Sequence, residues 1–476
     1  MVRISRRAAG ALALSLVLPL AVSSPGAGVP AATAAPTVTP QEFFSPPVVD
    51  AVLGGRLAAP HEWFPTPPQD DPFYVAPPID PATPAGTLLR SRKVAPQNVL
   101  IRFGGLDAWQ VLYTSTGLDG GPRVVSGIVI VPHSFGVTGP KRVVSYLEAN
   151  DNLAPGCGPS YRWVGGNTLD LAQVSLGPIP QMLARGWAVA MTDFGNNGAP
   201  GVQPFSVGAL SGPAALDVLR AVEQIPDAPI EPDLPTGIFG LAGGAVAGTA
   251  AAELAGTYAP ERRIVGSVLQ GMVVDSTTFE HFAGGELAAG FVVANALGYA
   301  AAYPEIDLES RLTPLGRQVA DVFHRSCQFV YGLTPGLPLQ AVFSGGLPSD
   351  DPAFRRRYDE GRLGRGTPNA PVYLTSCPTD CLVPYSDVMW LADRYAAGGA
   401  SVTIDPTECG FQDFARDFWR ASTELVGVQG VPWLEQRFDA AARGDRGVPG
   451  LHHVLEPTDG GAAAGSRAAG LGSEGS

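Results

Sequence analysis

Short, nearly uninterrupted apolar runs recur through the middle of the chain, each bounded by Gly, Pro or polar clusters. Residues 124–131, 142–147, 187–192, 237–239, 264–269 and 371–375 are such runs, rich in Val, Ile and aromatic side chains. Runs of this kind suit strands buried on both faces of a parallel sheet. Segments with helical character alternate with them, at residues 213–224, 244–258 and 385–397, and a further strand is predicted at 400–404. Strand-helix alternation predicts an α/β fold, with a mostly parallel central sheet flanked by helices. Residues 276–366 break the rhythm with Gly, Pro and short apolar stretches. They are predicted to form a largely helical cap inserted between two core strands.

The flanks of the chain have a different composition. Arg3, Arg6 and Arg7 precede a mostly apolar stretch at residues 8–22, and an A-x-A site follows at Ala32-Thr33-Ala34. This is the pattern of a secretory signal peptide over residues 1–34, and Pro19 and the shortness of the run argue against a spanning helix. Residues 35–60 form a Pro/Ala-rich linker and residues 441–476, mostly Gly, Ala, Arg and Ser, a disordered tail. The core then divides into residues 61–275 and 367–440, on either side of the cap. An exported chain or one held at the cell envelope is the expectation.

Composition and charge narrow the chemistry. With 45% hydrophobic and 16% charged residues the chain is globular rather than disordered. A net charge of −13 excludes nucleic acid as a partner, since phosphate binding needs a basic face. The five cysteines are Cys157, Cys327, Cys377, Cys381 and Cys409. Their spacing fits no structural zinc pattern and no H-E-x-x-H occurs, so neither a metal nor another cofactor is expected.

The stretch with the most chemical content is Thr236-Gly237-Ile238-Phe239-Gly240-Leu241-Ala242-Gly243-Gly244-Ala245. A strand enters a glycine-punctuated turn, and a helix of small residues (Ala247, Gly248, Ala251, Ala252, Ala255) leaves it. This is the context of a nucleophile elbow, which lifts one side chain above the sheet. A dinucleotide-binding turn is the competing reading, but the glycine spacing is not G-x-G-x-x-G.

Here the chain resembles the secretory lipase family of α/β-hydrolases, the extracellular lipases of actinobacteria and yeasts. The resemblance begins at Pro72-Phe73-Tyr74-Val75-Ala76-Pro77-Pro78 and Gly86-Thr87-Leu88-Leu89-Arg90-Ser91-Arg92. It continues through Ala108-Trp109-Gln110-Val111-Leu112-Tyr113, Cys157-Gly158-Pro159-Ser160, the elbow, and Asp380-Cys381-Leu382-Val383-Pro384. Together these motifs cover about residues 72–440. The family's elbow reads like G-Y-S-Q-G-G with Ser as nucleophile; Ala242 stands at that position. A methyl group cannot attack a carbonyl. The resemblance implies Asp380 as the triad acid, although capping of a turn accounts for the same Asp. It also implies a histidine in the loop after residue 404, where 405–413 hold none. His61, His133, His281, His324, His452 and His453 all lie elsewhere, the last two in the tail. Ser211, ahead of a predicted helix, is a poor substitute nucleophile because no strand precedes it.

The resemblance further implies an oxyanion donor at the Gly243 amide, with a second from residues 148–152. Cys157 and Cys327 look like a disulfide tying an early loop to the cap. One pair among Cys377, Cys381 and Cys409 is plausible, with three pairings open. The functional expectation is a secreted, triacylglycerol-lipase-like protein that keeps a pocket for an acyl lipid or ester-like small molecule. It touches lipid surfaces transiently and hydrolyses esters poorly or not at all. The alternatives are an active lipase or carboxylesterase whose nucleophile lies outside the elbow, and a non-catalytic partner-binding module.

Overall fold

The computed structural model describes residues 65–98, 101–102, 104–133, 141–149, 152–166, 178–376, 378–406 and 429–454, with residues 51 and 53–55. Ten strands make one sheet. β1 (Leu88–Val94), β2 (Leu106–Thr116) and β3 (Pro122–Pro132) are antiparallel neighbours. β4 (Val143–Leu147), β5 (Ala188–Thr192), β6 (Thr236–Leu241), β7 (Ile264–Gln270), β8 (Val372–Thr375), β9 (Ser401–Asp405) and β10 (Gly450–His453) are parallel to one another. The strand order is β1-β2-β3-β5-β4-β6-β7-β8-β9-β10, with β5 joined antiparallel to β3.

Each of β4, β5, β6 and β8 is buried along its whole length, as the continuous apolar runs require. On β6, Ile238 faces Ala247 and Ala251 of α2 (Gly243–Tyr258), and Phe239 faces the opposite cluster with Leu434 and Phe438. α1 (Gly208–Val222) lies beside α2 on the first face. After the parallel strand β7 the chain leaves the sheet for α3 (Ser276–Ala283), α4 (Ala289–Ala302), α5 (Pro314–Phe323) and α6 (Pro352–Gly361), with shorter helical turns between them. It returns at β8, then forms α7 (Tyr385–Ala397) and α8 (Gly430–Ala442) around β9.

The inserted helices start on local signals. Asp275 accepts from the amide of Thr277 at 2.8 Å, Thr313 from Gly316 at 2.9 Å, and Asp351 from Ala353 at 2.8 Å. Each is an N-cap serving the first-turn donors, and Pro314 and Pro352 sit where no donor is needed. Their buried side chains, among them Leu297, Tyr299, Phe323 and Phe354, share one cluster with Leu153, Phe205 and Val383 from the loops above the sheet. A disulfide between Cys157 and Cys327 joins the same two parts.

Three sequence expectations need correction. α1 starts at Gly208 rather than 213, so Pro213 is inside it and Ser211 is part of the helix, not ahead of it. β2 was not anticipated as a strand, because buried Gln110, Thr114 and Ser115 interrupt its apolar pattern. Residues 450–453, assigned to a disordered tail, pair in parallel with residues 401–404 as the edge strand β10, which places His452 and His453 on the sheet. Only Leu451 in that stretch is apolar, so the pairing left no hydrophobic signature. Cys377, Cys409 and residues 407–428, which include most of the expected base loop, lie outside the described residues.

Candidate functional site

The turn between β6 and α2 is built by close backbone packing. A Cβ on Gly244 would come within 2.1 Å of the Leu147 carbonyl oxygen and 2.2 Å of that of Glu148. A Cβ on Gly240 would meet the Gly244 carbonyl oxygen at 2.6 Å. Neither position tolerates a side chain: the Gly244 contact presses the turn against the end of β4, and the Gly240 contact packs the strand end against the start of α2. Between them Ala242 takes φ 49° and ψ −120°, a region that non-glycine residues enter rarely and at a cost of about 1–3 kcal/mol. The conformation is pinned: the Ala242 amide donates to Gln270 O at 2.8 Å, and its carbonyl accepts from Ala245 at 2.8 Å and Val246 at 3.2 Å. The apex is thus held in nucleophile-elbow geometry while carrying a methyl group.

Above the apex lies a cavity of about 190 Å³, larger than the roughly 150 Å³ engineered cavity that admits benzene. Ala242 and Gly243 line it on the elbow side, and Phe205, Val273, Phe279 and Phe291 are among its apolar lining. Leu382 and Val383 reach it from the loop after β8. An apolar pocket with few polar groups is the usual form of a small-molecule site. Gly243 opens α2, where first-turn amides have no intrahelical acceptor.

Asp380 lies just ahead of these two wall residues. Its Oδ1 accepts from the amides of Leu382 at 2.8 Å and Val383 at 3.1 Å, closing the turn that presents both side chains to the cavity. Burial pushes its carboxyl above the ordinary Asp range, and the two amides oppose that rise. Among the described residues no histidine lines the cavity. His133 pairs with Asp107 at 3.1 Å, His281 bonds the Thr277 carbonyl, and His324 ends α5. Ser211 is buried in α1, its hydroxyl donating to Val207 O at 3.2 Å. Among the described residues no group of three or more His, Cys, Asp or Glu could hold a metal ion.

Sequence reasoning missed the supports of the site. Glu148, at the end of β4, forms an ion pair with Arg162 and accepts from the Trp163 indole at 2.7 Å, both charged side chains being 1% exposed. Asp193 accepts from the hydroxyls of Ser126 and Ser160 and from the Ser160 amide at 2.8 Å. Burial pushes it up to about 6 against those bonds. No local motif marks either group, because the partners are remote in sequence. The cavity's own polar residues were missed as well, yet Asn295 could have been found as the lone amide in an otherwise apolar helix.

A mostly parallel sheet in this strand order, a sharp elbow after β6, and helices inserted between β7 and β8 define an α/β-hydrolase. The chain belongs to the secretory lipase family, whose model matches residues 167–445. A Mycobacterium tuberculosis protein named as a probable inactive lipase is 32% identical over 394 residues, covering 78% of this chain and 82% of the relative. A secreted triacylglycerol lipase of Malassezia globosa is 30% identical over 388 residues, covering 78% and 81%. Candida antarctica lipase A has a similar fold, with a TM-score of 0.67 at 23% identity, over 79% of this chain and 87% of that structure.

Proposed function

We propose that this chain is an exported member of the family that holds an acyl lipid or ester-like molecule in the cavity beside Ala242 and does not hydrolyse it by a serine triad. The observation that carries this reading is the elbow. Its strained backbone is kept at φ 49° with a bare methyl at the apex, and an apolar cavity lies directly above it. Covalent acyl transfer needs an oxygen or sulfur nucleophile activated by a base. Ala242 supplies neither, and residues 405–413 contain no histidine. The Gly243 amide remains suited to receiving an ester or carboxylate oxygen. Asp380 holds the acid position but is engaged in its own turn. The leader-like residues 1–34 and the secreted relative support export.

A fluorophosphonate probe should leave the purified protein unlabelled, and lipid extracted from it should contain fatty acid or ester at near-stoichiometric yield. Ala242→Ser should raise ester hydrolysis by less than about tenfold, because a serine without its base gains little. Labelling of the native chain, or rescue by several orders of magnitude in that variant, would overturn the reading.

A further inference from the structure

Phe205, Ser206 and Gly243 line a second cavity as well as the one above Ala242. This second space, about 20 Å³, has room for one water-sized oxygen and is polar, walled further by Asn152, Asp193, Gln203 and Ser211. The first is apolar, so a molecule that fills both has a hydrocarbon part above Ala242 and an oxygen-bearing head beside Gly243. Among the described residues no Lys, Arg or His lines either cavity, and the one charged side chain on their walls is Asp193. We propose that Asp193 makes the site selective for charge: it admits an acyl chain with an uncharged head, such as an ester, and turns away the free carboxylate. This deepens the function proposed above and rests on it.

Taking an ion out of water costs far more than taking out a neutral oxygen, unless an opposite charge meets it. The surroundings offer a carboxylate no such partner. Arg162 acts on Asp193, but its guanidinium is paired with Glu148, both side chains are 1% exposed, and it lines neither cavity. Helices α1 and α2 bring their first turns to the polar cavity through Ser211 and Gly243, and each helix start carries about half a positive charge. Asp193 reports how these influences balance. It accepts from the hydroxyls of Ser126 and Ser160 and from the Ser160 amide at 2.8 Å, and burial still pushes its carboxyl up to about 6. A ligand carboxylate entering beside it would face the same burial and the Asp193 charge as well. An ester oxygen faces neither penalty.

The test is equilibrium dialysis of three ligands of one chain length against the purified full-length protein: methyl octanoate, octanoate and octylammonium. It is run at pH 7.5, where Asp193 is ionised, and in about 0.3 M salt, which screens the exposed charges. Methyl octanoate should bind at least about tenfold tighter than octanoate, with octylammonium between them, since desolvation weakens both ions and Asp193 repels only the anion. Asp193→Asn, checked by its melting curve, should bring octanoate and octylammonium within about twofold of each other. Octanoate binding as tightly as the ester, or tighter than octylammonium, overturns the charge selection and leaves the acyl cavity standing. An unchanged gap between the two ions in a folded Asp193→Asn overturns the role of Asp193. Failure of the ester to bind overturns this proposal together with the function on which it rests. Should the variant unfold, the order of the three ligands on the native chain decides the matter.

Discussion

Ala242 combines a backbone suited to catalysis with a side chain that is not. Holding alanine at φ 49° strains the chain, and the hydrogen bonds to Gln270, Ala245 and Val246 oppose that strain. Glycine adopts this region freely, although it loses more entropy on folding. Ala242→Gly should therefore stabilise the protein by about 1 kcal/mol in urea unfolding, where most Ala→Gly changes cost a similar amount. The apex was legible in the sequence because its constraint is local: glycines at 240, 243 and 244 and a small-residue helix are written within a few positions. Asp380 was legible only by resemblance. An Asp that accepts two amides within three residues has the same surroundings in sequence as one that orients a histidine.

At the scale of elements, the site depends on how β4, β5 and the loop before the short helix Pro159–Arg162 are tied together. Asp193 follows β5 and binds Ser126 of β3 and Ser160 of that helix. Its folded-state value is raised to about 6, chiefly by burial, against an ordinary 3.8. The folded state thus binds a proton that the unfolded chain has released, and stability declines as pH rises between about 4 and 6. From this group alone the loss approaches about 3 kcal/mol, levelling off above about pH 7. Urea midpoints measured from pH 4 to 7.5 should fall along that course, and Asp193→Asn should flatten it. None of this was legible, since the three residues are distant in sequence and polar within otherwise apolar elements. The same holds for β2, whose buried Gln110 bonds the Ser160 carbonyl at 2.8 Å.

For the whole molecule, the cap and the sheet share one apolar cluster and one covalent link. The Cys157–Cys327 bond spans 170 residues and fixes the cap against the loop above β4. Cross-links over loops of that size restrict the unfolded chain strongly. Replacing both cysteines by serine should cost about 3–5 kcal/mol in unfolding free energy, read as a lower denaturant midpoint. The sheet and the insertion were legible because parallel strands are continuous apolar runs and the insertion interrupts their alternation. The edge strand was not, because β10 offers one apolar side chain, Leu451, to the core and otherwise pairs with β9 through backbone. That strand nonetheless sits where β9 would otherwise end the sheet. A protease that clipped the chain ahead of residue 450 would bare a row of unsatisfied amides and carbonyls on β9, the template on which neighbouring molecules stack into aggregates. Strand β10 is thus a seal on the sheet, and its loss would be felt as insolubility before any change at the elbow.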